Sequence, residues 1–386
     1  MSAAGEAETE LPLLFQPITI KGMTARNRVV VPPMCQYSAV NGRPNDWHLV
    51  HYGALARGGA GLIIAEAMAV EERGRITHGD LGLWTDELAG DMTRLIEIMK
   101  RHGAVPGVQI AHAGRKAATQ RPWHGLGALN EDDIARGDVP WESVGASPLP
   151  AADGWLVPRQ LAEAEIAGIV QAFADAARRA HQVGFEALEI HGAHGYLIQS
   201  FLSPLSNKRN DGYGGDLRGR MRLALEVTEA VRAAWPEDRP LFFRISSIDG
   251  FEGGWEIDDS VVLARELKAL GVDCIDCSSG GNSASATASV IPRSRGFQVP
   301  YAAEVKRRAE IMTMAVGLIL DGKHAEEILQ SGDADLIAIG REVLYNPFWA
   351  VQAAQELGAD TWFEMWPEQY GWWLDRRARS IRKYGL

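Results

Sequence analysis

The sequence has 386 residues, with 39 Lys or Arg against 50 Asp or Glu, which gives a formal net charge of −11 at pH 7. This charge argues against general binding to nucleic acids or anionic membranes, because their phosphates would repel it. With 46% hydrophobic and 23% charged residues the composition is that of a globular protein, and three cysteines are too few for a disulfide framework or a four-cysteine metal site.

The amino-terminal segment is predicted to lie outside the folded core. Residues 1–10 contain three Glu but no basic or long apolar stretch, which is typical of a disordered acidic tail rather than of a signal peptide. No apolar run approaches the ~20 residues that a membrane-spanning helix needs. With so few cysteines, the chain is expected in a reducing, cytoplasmic compartment and without a membrane partner.

Eight short apolar runs predict β-strands that are covered on both faces. They span residues 28–31, 60–65, 105–111, 187–190, 241–245, 274–278, 311–316 and 336–339. Helical spacing of apolar residues follows the runs, for example at 88–99, 166–173 and 263–270. Eight strand–helix pairs predict a single closed (β/α)₈ TIM barrel. An open doubly wound sheet is the alternative, but no G-x-G-x-x-G follows the first strand.

Three additions to the minimal barrel are predicted. Residues 18–20 and 23–24 flank a Lys21-Gly22 turn and predict a hairpin that caps the barrel floor. Residues 112–158, after the third strand, are too long for a routine loop and favour an active-site excursion over a disordered insert. The barrel is expected over residues 11–358, and residues 359–386 form an aromatic and basic arm that packs on its own barrel or on a neighbouring subunit.

Polar residues collect where the predicted strands end, which in a (β/α)₈ enzyme is the catalytic face. They are Cys35 and Tyr37 after the first strand, Glu66 and Ala67 at the end of the second, Gln109 in the third, His191 and His194 after the fourth, Arg244 in the fifth, 278–281 after the sixth, Gly317 after the seventh, and Gly340 with Arg341 after the eighth. Distant segments are therefore expected to converge on one mouth.

The densest local signal is His191-Gly-Ala-His194-Gly-Tyr196. Two imidazoles and a phenol in one short loop suit a grip on a substrate oxygen with a proton donor beside it. Metal ligation is a second interpretation, for which His112 or Glu189 would have to supply a third ligand. A third interpretation is purely structural, with two loop histidines that form hydrogen bonds to the backbone.

The glycines that follow the last two strands suit a phosphate. Gly317 and Gly340 would expose backbone N–H groups and Arg341 would add charge-assisted hydrogen bonds, although each glycine alone is typical of a turn. Arg244 and Gln109 interrupt apolar strands. Arg244 either pairs with a buried carboxylate such as Glu66 or Glu189, or faces an anionic ligand, and the Gln109 amide could read a heterocycle edge.

The chain resembles the Old Yellow Enzyme family of FMN-dependent ene-reductases over residues 13–370. The likeness rests on Leu14-Phe15-x-Pro17, on NRVVVPPM at 27–34, on HGAHGYLIQSFLSPLSNKRNDGYGG at 191–215, and on Gly340-Arg341 with Asn346-Pro347. Cys35 after Pro-Met, with Tyr37 two residues later, is similar to the bacterial thermophilic-like branch that includes xenobiotic reductases.

The resemblance implies a noncovalent FMN at the carboxyl face of the barrel and no metal. In the family the His191 and His194 positions grip the substrate carbonyl, Tyr196 donates a proton, Cys35 tunes the flavin potential and Tyr37 shapes the pocket. The implied flavin contacts are Pro33, Met34, Cys35, Ala67, Gln109, His191, Arg244, Gly317, Gly340 and Arg341.

The implied reaction is ping-pong reduction of α,β-unsaturated carbonyl compounds, and of nitro compounds, with NADPH or NADH as reductant. Some members send an arginine into a neighbour's site, but two residues after Tyr370 this chain has Trp372, so Trp372 or Trp373 is expected to line a substrate pocket of a homodimer or homotetramer. The competing classes are a metal-dependent hydrolase or lyase that uses His191 and His194, and a noncatalytic flavin- or phosphate-binding protein.

Overall fold

The structure is a computed structural model that describes residues 11–283 and 291–385, so the predicted acidic tail lies outside the described residues. The strands in chain order are β1 (Ile18–Ile20), β2 (Met23–Ala25), β3 (Val29–Val31), β4 (Leu62–Ala69), β5 (Leu81–Gly82), β6 (Val105–Ala111), β7 (Val144–Gly145), β8 (Arg159–Gln160), β9 (Ala187–Gly192), β10 (Leu241–Ser246), β11 (Cys274–Ser278), β12 (Met312–Ala315) and β13 (Leu336–Ala338).

The α-helices lie between and after these strands. In chain order they are α1 (Asp46–Arg57), α2 (Asp86–Asp91), α3 (Thr93–Arg101), α4 (Glu131–Ala135), α5 (Glu163–Val183), α6 (Leu197–Leu202), α7 (Leu217–Ala234), α8 (Ile257–Ala269), α9 (Val299–Ala309), α10 (Gly322–Gln330), α11 (Arg341–Tyr345), α12 (Trp349–Glu356) and α13 (Glu368–Tyr384). None of the helices in the described part of the chain has both the length and the apolar character that crossing a bilayer requires.

Eight parallel strands close on themselves. The order is β3, β4, β6, β9, β10, β11, β12 and β13, and β13 pairs back with β3 so that Ile337 lies beside Val29. The predicted closed (β/α)₈ barrel is therefore confirmed. Because all eight strands run in the same direction, their carboxyl ends meet at one mouth and their amino ends at one floor.

Two apolar layers hold the barrel together. The inner cluster includes Val30, Phe242 and Leu336 from the strands, and it continues into Ile18 and Met23 of the β1–β2 hairpin. The hairpin therefore closes the floor, as predicted. A larger outer cluster fills the space between the strands and the surrounding helices. Both faces of the strands are covered, which explains their almost continuously apolar sequences.

Helix ends follow local capping chemistry. The side chains of Asn45, Asp216 and Asp321 accept backbone hydrogen bonds at the first turns of α1, α7 and α10. Gly184 ends α5 with a φ of 101°, a conformation that glycine adopts at little cost. Local capping thus determines where these helices begin and where α5 ends before β9.

Three details differ from the sequence expectations. β4 continues to Ala69 through a bulge between Ala65 and Met68, so Glu66 and Ala67 lie in the bulge and not at the strand end. The expected helix at 88–99 is divided into α2 and α3, next to Gly90, a poor helix former. Residues 112–158 are folded and include α4 and β7, so the alternative interpretation of this segment as a disordered insert is wrong.

The close approach of β3 and β4 at the floor gives a stability prediction. A Cβ at Gly61 would lie 2.3 Å from the carbonyl oxygen of Asn27, so Gly61→Ala should push the two strand entrances apart. We expect it to lower the free energy of unfolding by about 1–3 kcal/mol in urea denaturation. Gly90→Ala is the control, since a Cβ there meets nothing within 4 Å. Equal stability of the two variants would contradict the tight packing at Gly61.

Candidate active site

The turn after β9 carries the central side chains. His191 lies in the last part of β9 rather than after it, and His194 has a φ of 60°, so the chain reverses direction between the two histidines. The His194 N–H donates to the Ser246 hydroxyl at 2.9 Å, and this hydroxyl donates to the Gly280 carbonyl at 2.7 Å. The loops that follow β9, β10 and β11 are therefore tied to one another.

Three rings of this turn are in contact. The His191 ring centroid lies 5.3 Å from that of His194 and 5.0 Å from that of Tyr196, in both cases edge to face. Nε2 of His194 lies 2.6 Å from the Ser278 hydroxyl. Nδ1 of His191 accepts the N–H of Ala193 at 3.2 Å, which places the proton of the neutral ring on Nε2.

Both imidazoles are uncharged near neutral pH. Burial is the main reason that the pKa of His191 and the pKa of His194 lie well below the usual value, and the charge of Arg244 lowers both further. Neutral imidazoles still donate one N–H each. The turn can therefore offer hydrogen bonds to an oxygen without offering a proton from an imidazolium.

Tyr196 meets the residues that follow β3. Cys35, Tyr37 and Tyr196 pack on a small apolar cluster that includes Ile76. The Tyr37 side chain lies next to the Cys35 thiol and the Tyr196 phenol, and the backbone of Ala67 lies next to the sulfur. Burial raises the pKa of Cys35 and of Tyr196, so the thiol and the phenol both keep their protons.

The position of Tyr37 is determined by its surroundings. Its φ is 49°, and a Cβ on Gly79 would lie 2.1 Å from the Tyr37 carbonyl oxygen, so only glycine allows this approach. The Tyr37 ring lies 6.3 Å from that of Trp123, which belongs to the long loop after β6. The excursion predicted from its length therefore reaches the candidate site.

Strand register pairs the polar residues inside the barrel. Gln109 lies beside Glu189 and donates its amide to that carboxylate at 2.8 Å. His191, Arg244 and Asp276 lie side by side on three neighbouring strands, and Nε of Arg244 is 3.1 Å from Oδ2 of Asp276. Arg244 is thus paired with a buried carboxylate, which was one of the two predicted alternatives, but the partners named for it, Glu66 and Glu189, are wrong, because strand register, which the sequence alone does not give, selects Asp276.

Glycines and half-buried residues form the opposite wall of the mouth. Gly317 has a φ of 115°, and a Cβ there would lie 3.0 Å from the Phe297 ring. A Cβ at Gly340 would lie 3.8 Å from Sδ of Met34, so the segments after β3 and β13 adjoin. Pro33 and Met34 are half-buried, and the exposed Arg341 begins α11. This wall therefore offers backbone groups and apolar side chains against which a flat ligand can pack.

Lys116 is a site residue that the sequence analysis missed. Its Nζ donates to the carbonyl oxygens of His194, at 2.7 Å, and of Gly281, and it lies 5.5 Å from the centre of the Tyr196 ring. Burial lowers the pKa of Lys116 to about 7. The sequence feature that could have identified Lys116 is its position a few residues after the third predicted strand, at the catalytic face of the barrel.

Glu66 has a role that its sequence position did not indicate. Its Oε2 accepts the Gln36 N–H at 2.8 Å and its Oε1 accepts the Tyr52 hydroxyl at 3.2 Å. Burial raises the pKa of Glu66 to about 8. The carboxyl group thus holds the backbone at Gln36, between Cys35 and Tyr37.

The third ligand of the metal interpretation has other partners. His112 uses Nε2 with Glu71 at 2.8 Å and Nδ1 with the Gly114 N–H at 2.9 Å, and Glu189 accepts from Gln109. Within residues 11–283 and 291–385 no group of three His, Cys, Asp or Glu side chains is arranged to hold a metal ion. The pair of imidazoles therefore lacks a partner for ligation in the described part of the chain.

Trp372 and Trp373 lie outside this cluster. Their rings contact each other at 4.5 Å, and Arg376 lies over Trp372 at 3.2 Å from the ring centroid. Both are more than half exposed on α13. Their expected place in a substrate pocket would therefore require a neighbouring chain and stays a prediction.

Comparisons with known proteins identify the family of the chain. The family model described as NADH:flavin oxidoreductase / NADH oxidase matches residues 13–360. The chain is 45% identical over 348 residues to "NADPH dehydrogenase" of Geobacillus sp. (strain WCH70), covering 90% of this chain and 95% of that one. Morphinone reductase in complex with tetrahydroNAD is 25% identical with a TM-score of 0.73, over 90% of this chain and 91% of that chain.

A longer protein shares the fold. The chain superposes on 2-naphthoyl-CoA reductase with a TM-score of 0.78 and 24% identity, over 89% of this chain and 52% of that chain. This chain therefore spans about half the length of that protein.

The chain forms a closed barrel, and a flavin oxidoreductase family matches most of its length. These findings place the protein in the class of FMN-dependent NAD(P)H oxidoreductases. The chain belongs to the NADH:flavin oxidoreductase / NADH oxidase family, which is that of Old Yellow Enzyme. The resemblance stated from the sequence is confirmed.

Lys116 gives a pH-dependent prediction. Its pKa in the fold, about 7, lies below the ~10.4 of an exposed lysine, so the unfolded chain binds this proton more tightly. Between pH 7 and 10 unfolding takes up a proton, and the folded state gains stability as the pH rises. The free energy of unfolding of wild type minus that of Lys116→Met should rise by up to about 1.4 kcal/mol per pH unit above pH 7.

Urea denaturation at pH 7, 8 and 9 measures this difference. Lys323→Met is the control, because Lys323 is exposed on α10, and its difference from wild type should not change over this range. If the difference in free energy of unfolding between wild type and Lys116→Met did not change with pH, the pKa of Lys116 would not be lowered in the folded state.

Proposed function

We propose that the protein reduces the activated C=C bond of α,β-unsaturated carbonyl compounds, with nitro compounds as further acceptors. The observation that carries this proposal is the turn in which two neutral imidazoles and a protonated phenol are in ring contact. Such a group can hold a carbonyl oxygen and supply a proton next to it.

The mouth suits FMN in its charge and shape. Nε of Arg244 lies beside the Asp276 carboxylate but forms no hydrogen bond among the described residues, and the other nitrogens of the guanidinium remain to stabilise negative charge on a flavin ring. Gly317, Gly340 and Arg341 would bind the phosphate. When bound, FMN accepts hydride from the nicotinamide and passes it to the substrate. The remaining residues proposed to contact the flavin are Pro33, Met34, Cys35, Ala67, Gln109 and His191.

His191 and His194 are proposed to hold the substrate oxygen. Negative charge grows on this oxygen as hydride reaches the β-carbon, and each preorganised donor is worth about 2.7–4 kcal/mol to such a transition state. Since both rings are neutral, they stabilise the charge by hydrogen bonding and do not protonate the oxygen. Lys116 fixes the turn through the His194 carbonyl.

Tyr196 is proposed to deliver the proton to the α-carbon. Burial raises its pKa, so the phenol is fully protonated at neutral pH, and its contact with Tyr37 keeps the hydroxyl in place. Tyr37 also lines the substrate pocket. Cys35, a neutral thiol, would adjust the flavin potential through its position.

NADPH is the proposed reductant, because the similar proteins at 42–45% identity carry the name NADPH dehydrogenase. Nicotinamide and substrate would use the same pocket in turn, which gives ping-pong kinetics. A cytoplasmic, reducing location is part of the proposal, since Cys35, Cys274 and Cys277 are all unpaired.

Tyr196→Phe tests the proton donor. In stopped-flow experiments on the FMN-loaded enzyme, flavin bleaching by NADPH should be nearly unchanged, whereas reoxidation by cyclohexenone should slow about 10²-fold or more, because only this step needs the proton. Tyr213→Phe is the control, since the Tyr213 hydroxyl binds Glu226 away from the mouth.

Equal slowing of both half-reactions would remove the proton-donor role. A purified protein that stays colourless after incubation with FMN would contradict the proposal itself. A flavin-loaded protein that NADPH does not bleach would instead be the noncatalytic flavin-binding protein.

The carboxy-terminal arm is proposed to pack on a neighbouring copy in a homodimer or homotetramer. Along α13 only Gly371 is buried, and Trp362, Trp372 and Trp373 are 52%, 51% and 65% exposed, which is unusual for an isolated monomer. Sedimentation should show an oligomer that Trp372→Glu with Trp373→Glu dissociates, whereas Val157→Glu, at a similarly exposed site, does not. A monomeric wild type would contradict this.

A further inference from the structure

A second cavity lies at the floor, at the opposite end of the barrel from the mouth. It encloses about 710 Å³. Arg26, Gly59 and Gly103 border it from the segments that enter β3, β4 and β6, and residues 364–369 cover it from the carboxy-terminal side. The volume is in the range of small-molecule sites.

Positive charge converges on one side of this cavity. Burial lowers the pKa of His102, and the charges of Arg57, Arg101 and Arg26 lower it further, with no carboxylate acting in the opposite direction. None of these three arginines forms an ion pair within residues 11–283 and 291–385. Clustered guanidinium groups without a counter-charge attract an anion.

Two carboxylates also line the cavity. Glu364 and Glu368 belong to the covering segment, and neither is ion-paired with an arginine of the floor. Neither carboxylate offsets the effect of the three arginines on the pKa of His102. The side of the cavity near His102 therefore keeps its positive charge.

Two buried hydrogen-bond donors at the cavity lack acceptors. Nε of Arg57 and Nε1 of Trp366 are inaccessible to solvent and have no hydrogen-bond partner among the described residues. Buried donors are satisfied in most proteins, so this cavity wall is unusual, although neither of the two atoms is itself exposed to the cavity. This observation is independent of the charges.

The Arg57 guanidinium is held in place before any ligand arrives. It lies 5.4 Å from the centre of the Phe348 ring and 5.2 Å from that of Tyr370. The Trp366 ring stacks on Phe348 with centroids 5.2 Å apart. A preorganised cation loses little side-chain entropy on binding.

We propose that this floor cavity binds a small phosphate monoester, whose phosphate meets Arg57 and Arg101 and whose organic group meets the apolar wall. Phosphate fits two guanidinium groups better than a carboxylate does, because it carries more charge and more acceptor oxygens, whereas Arg26 donates to the carbonyl oxygens of Ala56 and Ala60 at the border of the cavity. The apolar wall, to which Phe15, Val351 and Met365 belong, is larger than a bare phosphate needs. The site is separate from the flavin mouth and does not depend on the proposed reaction.

Calorimetry on the FMN-loaded holoenzyme, from which free FMN has been removed by desalting, tests the proposal, since the flavin phosphate site is then occupied and no free phosphate ester competes for the floor cavity. Phenyl phosphate is the probe for the ester and inorganic phosphate is the probe for the free anion. Arg101→Gln should weaken the binding of phenyl phosphate about tenfold. Arg94→Gln is the matched control, because Arg94 is exposed on the same helix, α3, but does not line the cavity.

The His102 ring provides a local readout by NMR, assigned with His102→Gln. Bound phosphate should raise the pKa of His102, and Arg101→Gln should remove this rise. Tighter binding of phenyl phosphate than of phosphate supports an ester site, whereas equal affinities would overturn the role of the apolar wall. Binding that leaves His102 unchanged, or that is equally tight in Arg101→Gln, would overturn the site.

Discussion

The candidate site depends on one serine hydroxyl and one lysine amino group that join four loops. Ser246, at the end of β10, accepts the His194 N–H and donates to Gly280, so three consecutive strand ends are tied. Lys116 adds the loop after β6 by donating to the His194 and Gly281 carbonyls. The two imidazoles and the phenol keep a common orientation because their backbone cannot move independently of these neighbours. Without these bonds the same residues would lie on a flexible turn.

Burial determines the charge balance around this turn. It raises the pKa of Glu66 and of Glu189, and it also raises that of Asp276, which Arg244 opposes. The carboxyl groups of the interior are thus weaker counter-charges than their number suggests. The guanidinium of Arg244 places a positive charge beside them. The interior therefore favours a negative ligand at the mouth and holds both histidines neutral.

The architecture could be read from the sequence because strands covered on both faces are almost continuously apolar, and eight such runs alternate with helical spacing. The residues at the mouth followed from the same pattern, since parallel strands bring their ends together. The partner of Arg244 could not be predicted, because the choice between Asp276 and Glu189 depends on strand register. The β4 bulge at Glu66 was equally hidden, since nothing in 62–69 interrupts the apolar run apart from Glu66 itself. Lys116 was missed because a lysine in a long loop is typically solvated.

The two ends of the barrel use arginine in different ways. At the mouth, Arg244 is flanked by Asp276 and lies near glycine-rich backbone, an arrangement that leaves room for a flat ring with a phosphate. At the floor, Arg57 lies between aromatic rings and forms no ion pair among the described residues. In a chain with a net charge of −11 most arginines have acidic partners available, so an unpaired cluster requires a reason. The floor segments around Arg26 and Gly103 lead directly into β3 and β6, and the loops after these two strands contain Cys35 and Lys116, so the same strands connect the floor with the mouth.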